Sequence, residues 1–190
     1  MTHSEGRLTL DINSPAPTFK LTDVFDREID LASYKGKRVL VAFFRHAGCP
    51  FCNTRVHSLQ KHYAELKAKR LEMIFFFESK KELLLKSHFH KEISPIPLIS
   101  DPDKVWYDAY GVESSALKSA KSHFTSFFQK VFEAKKKGLP VHWMAGEESI
   151  KTIPAEFLMD ERGIIRKVHY AKGLRDRMAI DEIKAFAELG

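Results

Sequence analysis

Residues 38–55, "RVLVAFFRHAGCPFCNTR", decide the reading of this chain. The run "RVLVAFF" at 38–44 is continuously apolar and rich in Val and Phe. Such a run suits a strand buried on both faces of a parallel sheet. Both cysteines of the chain, Cys49 and Cys52, follow at once. Pro50 between them stands where a helix-initiating proline is tolerated. Val56, Leu59, Tyr63 and Leu66 then recur at steps of three and four, one face of a helix. "LEMIFFFES" at 71–79 is a second buried strand. Strand, helix and strand predict a right-handed βαβ unit with the cysteines at the carboxyl end of its first strand.

Working outward, "SPAP" at 14–17 blocks helix, and "FDRE" at 25–28 offers a turn between short extended pieces. "KKELLLKSHFHKEI" at 80–93 predicts one further helix. "PIPLISDPDKVWYDAYGV" predicts a short strand, a turn at "DPD" and a helix ended by Gly111. Leu117, Ala120, Phe124, Phe127, Phe128 and Val131 predict a long amphipathic helix over 115–137, stopped by Gly138 and Pro140. Residues 140–154 read as a loop. "AEFLMD", "ERG" and "IIRKVHY" predict an antiparallel hairpin with Gly163 in its turn, and "MAIDEIKAFAEL" a closing helix. The sum is an α/β fold: one domain over 1–190, with a central mixed sheet flanked by helices. It carries an N-terminal extension and a helical insertion before the late hairpin.

Composition narrows the function. The 190 residues are 44% hydrophobic and 29% charged, which suits a globular core and not disorder. No apolar run is long enough to cross a bilayer, and the start "MTHSEGRLTLD" lacks a signal pattern, so the expectation is a cytoplasmic protein without a membrane partner. The net charge of +6 falls largely in helical stretches such as "KAKR" at 67–70 and "EAKKKG" at 133–138. A solvated helix face explains it, and no nucleic-acid motif accompanies it.

A Cys-x-x-Cys that opens a helix has a physical use. The thiolate is the reactive form, and the free N–H groups and dipole of a helix N-terminus stabilise it. The second sulfur can reach back and close a disulfide. Arg45 and His46 before the motif, and Arg55 after it, can add positive charge. Zinc needs four ligands, whereas one Cys pair supplies two. Buried, inert thiols are the other competing reading. Pro154, at the end of a loop and directly before a strand, is either an ordinary strand-start proline or a cis-proline turned toward the cysteines.

The chain from about residue 14 onward resembles the alkyl hydroperoxide reductase / thiol-specific antioxidant family of the thioredoxin-like superfamily. "SPAPTFKLTDVFDREIDLASYKGKRVLVAFFR" resembles the opening of peroxiredoxins, "PLISDPDKVWYDAYGV" their Pro-Leu-x-Ser-Asp-Pro segment, and "FLMDERGIIR" their late hairpin. The resemblance implies a thioredoxin-like fold and a peroxide-reducing, antioxidant activity carried by sulfur alone, with no cofactor. It implies recycling by a thioredoxin-type dithiol reductant, and it is compatible with a homodimer.

Two departures stand out. Cys49 occupies the place of the family's threonine, and Cys52 falls on the peroxide-attacking position. The family's late arginine is missing from "SIKTIPAEF", where Pro154 resembles the cis-proline of thioredoxins. Arg45 is the best substitute cation and Arg55 the next.

Two catalytic readings stay open. In the peroxidase, Cys52 attacks a peroxide and Cys49 resolves it. In the disulfide reductase, Cys49, nearer the helix start and the more exposed, attacks a substrate disulfide. A third reading is a non-catalytic thioredoxin-fold binding protein that holds a partner with its basic helices or with the loop 138–150, where Trp143 and Met144 are candidate anchors.

Overall fold

The computed structural model describes residues 9–112 and 152–189. The helix expected over 115–137 and the loop 138–150 with Trp143 and Met144 lie outside the described residues.

A small antiparallel ribbon, β1 (Lys20–Thr22) and β2 (Glu28–Asp30), precedes the main sheet. The main sheet has five strands in the order β5-β4-β3-β6-β7. Its members are β3 (Arg38–Phe43), β4 (Leu71–Phe77), β5 (Leu98–Ser100), β6 (Ala155–Met159) and β7 (Ile165–Tyr170). β3, β4 and β5 run parallel. β6 and β7 form the antiparallel hairpin, and β6 lies antiparallel against β3. Gly163 turns the hairpin at φ +77°, the left-handed region that favours glycine. This is the mixed α/β sheet expected from the sequence.

The two apolar runs are continuous because both faces of β3 and β4 are covered. Side chains of a strand alternate between faces. Leu40, Ala42 and Phe44 of β3 and its end join Met73, Phe75 and Phe77 of β4 in one core. Val39, Val41 and Phe43 join Ile74 and Phe76 in the other. The first core is closed by α1 (Pro50–Lys61), α2 (Tyr63–Ala68), α3 (Lys81–Lys86), α4 (His88–Glu92) and α6 (Ile180–Ala187). The second is closed by α5 (Val105–Ala109) and the segment around Phe19 and Leu31. Aromatic rings pack edge-on and stacked there, with Phe43 over Phe76 at 4.7 Å and against Tyr107 at 5.0 Å.

Two expected helices are each a pair. The face carrying Val56, Leu59, Tyr63 and Leu66 breaks at His62, whose N–H turns back to the carbonyls of Leu59 and Gln60. Residues 80–93 break at Ser87, which is extended at φ −87°, ψ 124°. Apolar spacing survives both breaks, so periodicity alone does not reveal them.

Candidate functional site

β3 ends at Phe43, and the chain stays buried as it turns. Every residue from Arg38 to Asn53 is buried. Cys49 is the N-cap of α1 in an extended conformation, with Pro50 in the first helical turn. Cys52 stands one turn on. Both thiols are reduced and fully buried, so Cys49 is not the more exposed of the two. Both cysteines belong to one core with Ala47 and Phe51, and these two and His46 are each less than a tenth exposed.

The turn is pinned by side chains that the sequence reading passed over. Ser79 Oγ accepts the Ala47 N–H at 2.7 Å. Asn53 Nδ2 donates to the Ala47 carbonyl at 2.8 Å. The Tyr107 hydroxyl donates to the Phe44 carbonyl.

The two sulfurs share one proton unequally. Burial opposes ionisation of Cys49, but the Cys52 thiol donates to its sulfur and the charges of Arg45 and Arg177 attract it. The result brings Cys49 down to about 6. Burial pushes Cys52 well up, and the negative Cys49 beside it pushes it further. Arg45 is the positive partner: its Nη1 reaches Cys49 Sγ at 3.7 Å, and its backbone N–H points at Cys52 Sγ at 3.4 Å. A cation and a thiol donor at one sulfur are what lower a cysteine pKa.

Arg55, the other candidate cation, belongs to the scaffold. Its Nε and Nη2 form a two-pronged pair with Glu156 at 2.7 and 2.9 Å, and Nη2 also reaches the Met178 carbonyl. Glu156 in turn accepts the Met178 N–H at 2.9 Å. This buried, hydrogen-bonded pair ties α1 to β6 and to the approach of α6.

Pro154 needs a correction. Ile153–Pro154 is trans; the cis peptide among the described residues is Ser94–Pro95. The Pro154 carbonyl accepts the Ala171 N–H at 3.1 Å, continuing the β6–β7 ladder. Pro154 is thus a strand-start proline. The pairing of Phe43 with Ala155 places it level with the start of the cysteine turn, and Ile153 before it packs in the same core as both cysteines.

Two further groups are visible only in three dimensions. Glu78, just past β4, accepts from Lys104 Nζ at 2.9 Å and from Thr152 Oγ1 at 2.6 Å. Burial raises its carboxyl despite these partners. Arg177 lies 125 positions beyond Cys52 (177 − 52) in the turn before α6, yet its charge acts on both sulfurs. Among the described residues no three His, Cys, Asp or Glu side chains gather as a metal site would need, and no helix is long and apolar enough to cross a membrane.

Fold and site together define a thioredoxin-fold protein with a buried dithiol at the head of a helix. The chain belongs to the AhpC/TSA family, whose profile matches residues 12–168. Among curated relatives, Peroxiredoxin Bcp of Escherichia coli (strain K12) is 33% identical over 98 residues, 51% of this chain and 62% of that protein. A putative peroxiredoxin bcp of Buchnera aphidicola is 27% identical over 116 residues, 61% of this chain and 73% of that protein. The match to the Escherichia coli relative thus spans less than two thirds of its length.

Among solved structures, peroxidoxin BcpB of Mycobacterium tuberculosis superposes with a TM-score of 0.61 at 14% identity, over 93% of this chain and 92% of the other. The reduced 2-Cys peroxiredoxin of Plasmodium vivax superposes at 0.62 with 19% identity, over 93% and 80%. These two likenesses carry the fold.

Proposed function

We propose that the protein reduces peroxides with the Cys49–Cys52 pair. The observation that carries the proposal is the Cys49 sulfur at the head of α1, drawn down to about 6 by the Cys52 thiol and Arg45. At neutral pH it is a thiolate, and Cys52 holds the proton.

Cys49 attacks the terminal oxygen of the peroxide. The sulfur–oxygen bond forms as the O–O bond breaks, sulfur is oxidised to a sulfenic acid, and the departing alkoxide takes a proton to leave as alcohol. Cys52 then attacks the sulfenic sulfur, water leaves, and a disulfide joins the two residues. Two thiols and one hydroperoxide thereby become one disulfide, one alcohol and one water. A thioredoxin-type dithiol returns the pair to the reduced state, and a reducing compartment such as the cytoplasm suits that step. Both sulfurs come from one chain, so the cycle needs no second copy.

Full burial of both sulfurs favours a peroxide end over a protein disulfide as the oxidant, because a disulfide must bring a bulky backbone to the attacking sulfur. Developing charge on the leaving oxygen calls for a cation, and Arg45 is in place beside Cys49.

The test is rapid-mixing oxidation by hydrogen peroxide of wild type, Cys49→Ser and Cys52→Ser, with mass spectrometry. Cys52→Ser should stop with one added oxygen on Cys49. Cys49→Ser should react far more slowly. Oxidation of Cys49→Ser at the wild-type rate would transfer the attacking role to Cys52.

A further inference from the structure

A cavity of about 200 Å³ is lined by Phe51, which stands between the two cysteines in the chain, and by Arg177, whose charge acts on both sulfurs. The start of α1 supplies Phe51, Thr54 and Arg55, and the turn before α6 supplies Leu174, Arg175 and Arg177. Three arginines therefore line one small hollow. Glu156 answers only the first of them, Arg55.

Arg177 donates from Nη1 to the Asp176 carbonyl at 2.6 Å. Its Nε and Nη2 are buried and meet no acceptor among the described residues. A buried donor left without a partner costs about 1–3 kcal/mol, and more when charged, so native proteins rarely leave one unanswered. Arg175 stands with its guanidinium 5.7 Å from the centre of the Phe51 ring, held at the mouth of the same hollow. The nearby carboxylate of Asp176 is engaged elsewhere: one oxygen meets His169 Nε2 at 3.0 Å and the other the Lys172 N–H at 2.7 Å. Among the described residues, Arg175 and Arg177 meet no carboxylate.

Size limits what can sit there. Pockets for whole small molecules run to about 300–1,000 Å³. A hollow of about 200 Å³ takes one end of a molecule, not all of it. Forked guanidinium donors match a carboxylate, and the Phe51 ring with Leu174 suits the first carbons behind it.

We propose that this hollow is a carboxylate subsite: it seats the acid end of an organic hydroperoxide while the peroxide end is delivered to the cysteine pair. The proposal rests on the peroxide-reducing reading above and names its substrate class. Because neither sulfur is exposed, the substrate must enter end-on. Binding a remote carboxylate supplies energy for that approach without touching the reacting atoms. The carboxylate itself is unchanged by the reaction. The hydroperoxide group becomes an alcohol by the sulfur chemistry already described.

The experiment compares a fatty-acid hydroperoxide with its methyl ester, in wild type, Arg175→Gln and Arg175→Glu. The reading is the acid-to-ester ratio of kcat/KM within each protein, so a general loss of activity or folding cancels. Wild type should favour the acid by about tenfold or more, the worth of one charged hydrogen bond. Arg175→Gln should shrink the ratio and Arg175→Glu should invert it.

Calorimetric titration with decanoate, which cannot be reduced, reads the subsite without any turnover. It should bind wild type and fail with Arg175→Glu. Equal acid and ester rates together with no decanoate binding would overturn the subsite while leaving peroxide reduction intact. Decanoate binding in a protein inert to every peroxide would keep the anion pocket and sink the peroxidase reading, and the substrate assignment with it. If decanoate slows only the recycling of the disulfide by a dithiol, the carboxylate belongs to the reductant and the assignment to a hydroperoxide is wrong.

Discussion

The Arg45 guanidinium lies 3.7 Å from the Cys49 sulfur, and both groups are almost wholly buried. In such surroundings the cation acts with little screening. Arg45→Met should raise the Cys49 pKa from about 6 toward the ordinary thiol range and leave less thiolate at pH 7. It should also remove positive charge from the leaving oxygen. Peroxide reduction should slow by about tenfold or more, an increase of about 1.4 kcal/mol in the barrier. Exchange with a small neutral disulfide should slow less, since it feels only the thiolate loss. Arg45→Lys keeps a charge and should recover part of the rate. Equal slowing of both reactions would confine Arg45 to the thiolate.

The pH profile follows from the same pair. A depressed thiol pKa means reactivity present above it and lost as pH falls through it. Alkylation of Cys49 by iodoacetamide should therefore fall with a midpoint near pH 6. Cys52 keeps its proton well beyond that point and should resist alkylation in the same range. Peptide mapping at a series of pH values reads both residues at once. Faster labelling of Cys52 than of Cys49 at pH 7 would reverse the assignment of roles.

Much of this site was legible before the structure. "RVLVAFF" and "LEMIFFFES" read as buried strands because both their faces meet a core. The cysteines read as a helix-head dithiol because Pro50 follows Cys49 directly. Arg45 read as a cation beside them from its place at the strand end. What stayed hidden depends on distant chain. Arg55 ranked next after Arg45 as a candidate cation, and Glu156, 101 positions away, proved to hold it. Arg177 has no sequence signal, since only the fold of the turn before α6 brings its charge to the sulfurs. Exposure of Cys49 was misjudged because a helix-start position is usually open, and here it is buried in one core with Ala47 and Phe51. Pro154 stayed open between two readings because a strand-start proline and a cis-proline look alike in sequence; the bond is trans.

The turn that carries Cys49 is held by Asn53 and Ser79 through the two polar groups of Ala47. Asn53→Ala removes a buried donor and leaves the Ala47 carbonyl unsatisfied. The cost should be about 1–3 kcal/mol in urea unfolding. The looser turn should also let the sulfurs meet water, so the Cys49 alkylation midpoint should rise. A stability loss with an unchanged midpoint would show that the turn geometry is held by Tyr107 and the core instead.

The Arg55–Glu156 pair sets the strongest contrast with Arg45. Both arginines are buried and both stand within three or four residues of a cysteine. Arg55 is matched to the Glu156 carboxylate through two hydrogen bonds, with Met178 completing the network, whereas Arg45 turns its Nη1 to the Cys49 sulfur. Breaking such a pair on one side leaves an uncompensated buried charge, at about 3–5 kcal/mol. Glu156→Gln or Arg55→Met should therefore lower stability by that order. The double variant Arg55→Met with Glu156→Leu should regain much of the loss, because no charge is then left behind. Neither change should shift the Cys49 alkylation midpoint as far as Arg45→Met does. Urea unfolding of the four proteins, alongside alkylation at several pH values, separates the two roles. If Arg55→Met instead moved the midpoint upward with little loss of stability, Arg55 would be part of the cysteine electrostatics and not of the frame around it.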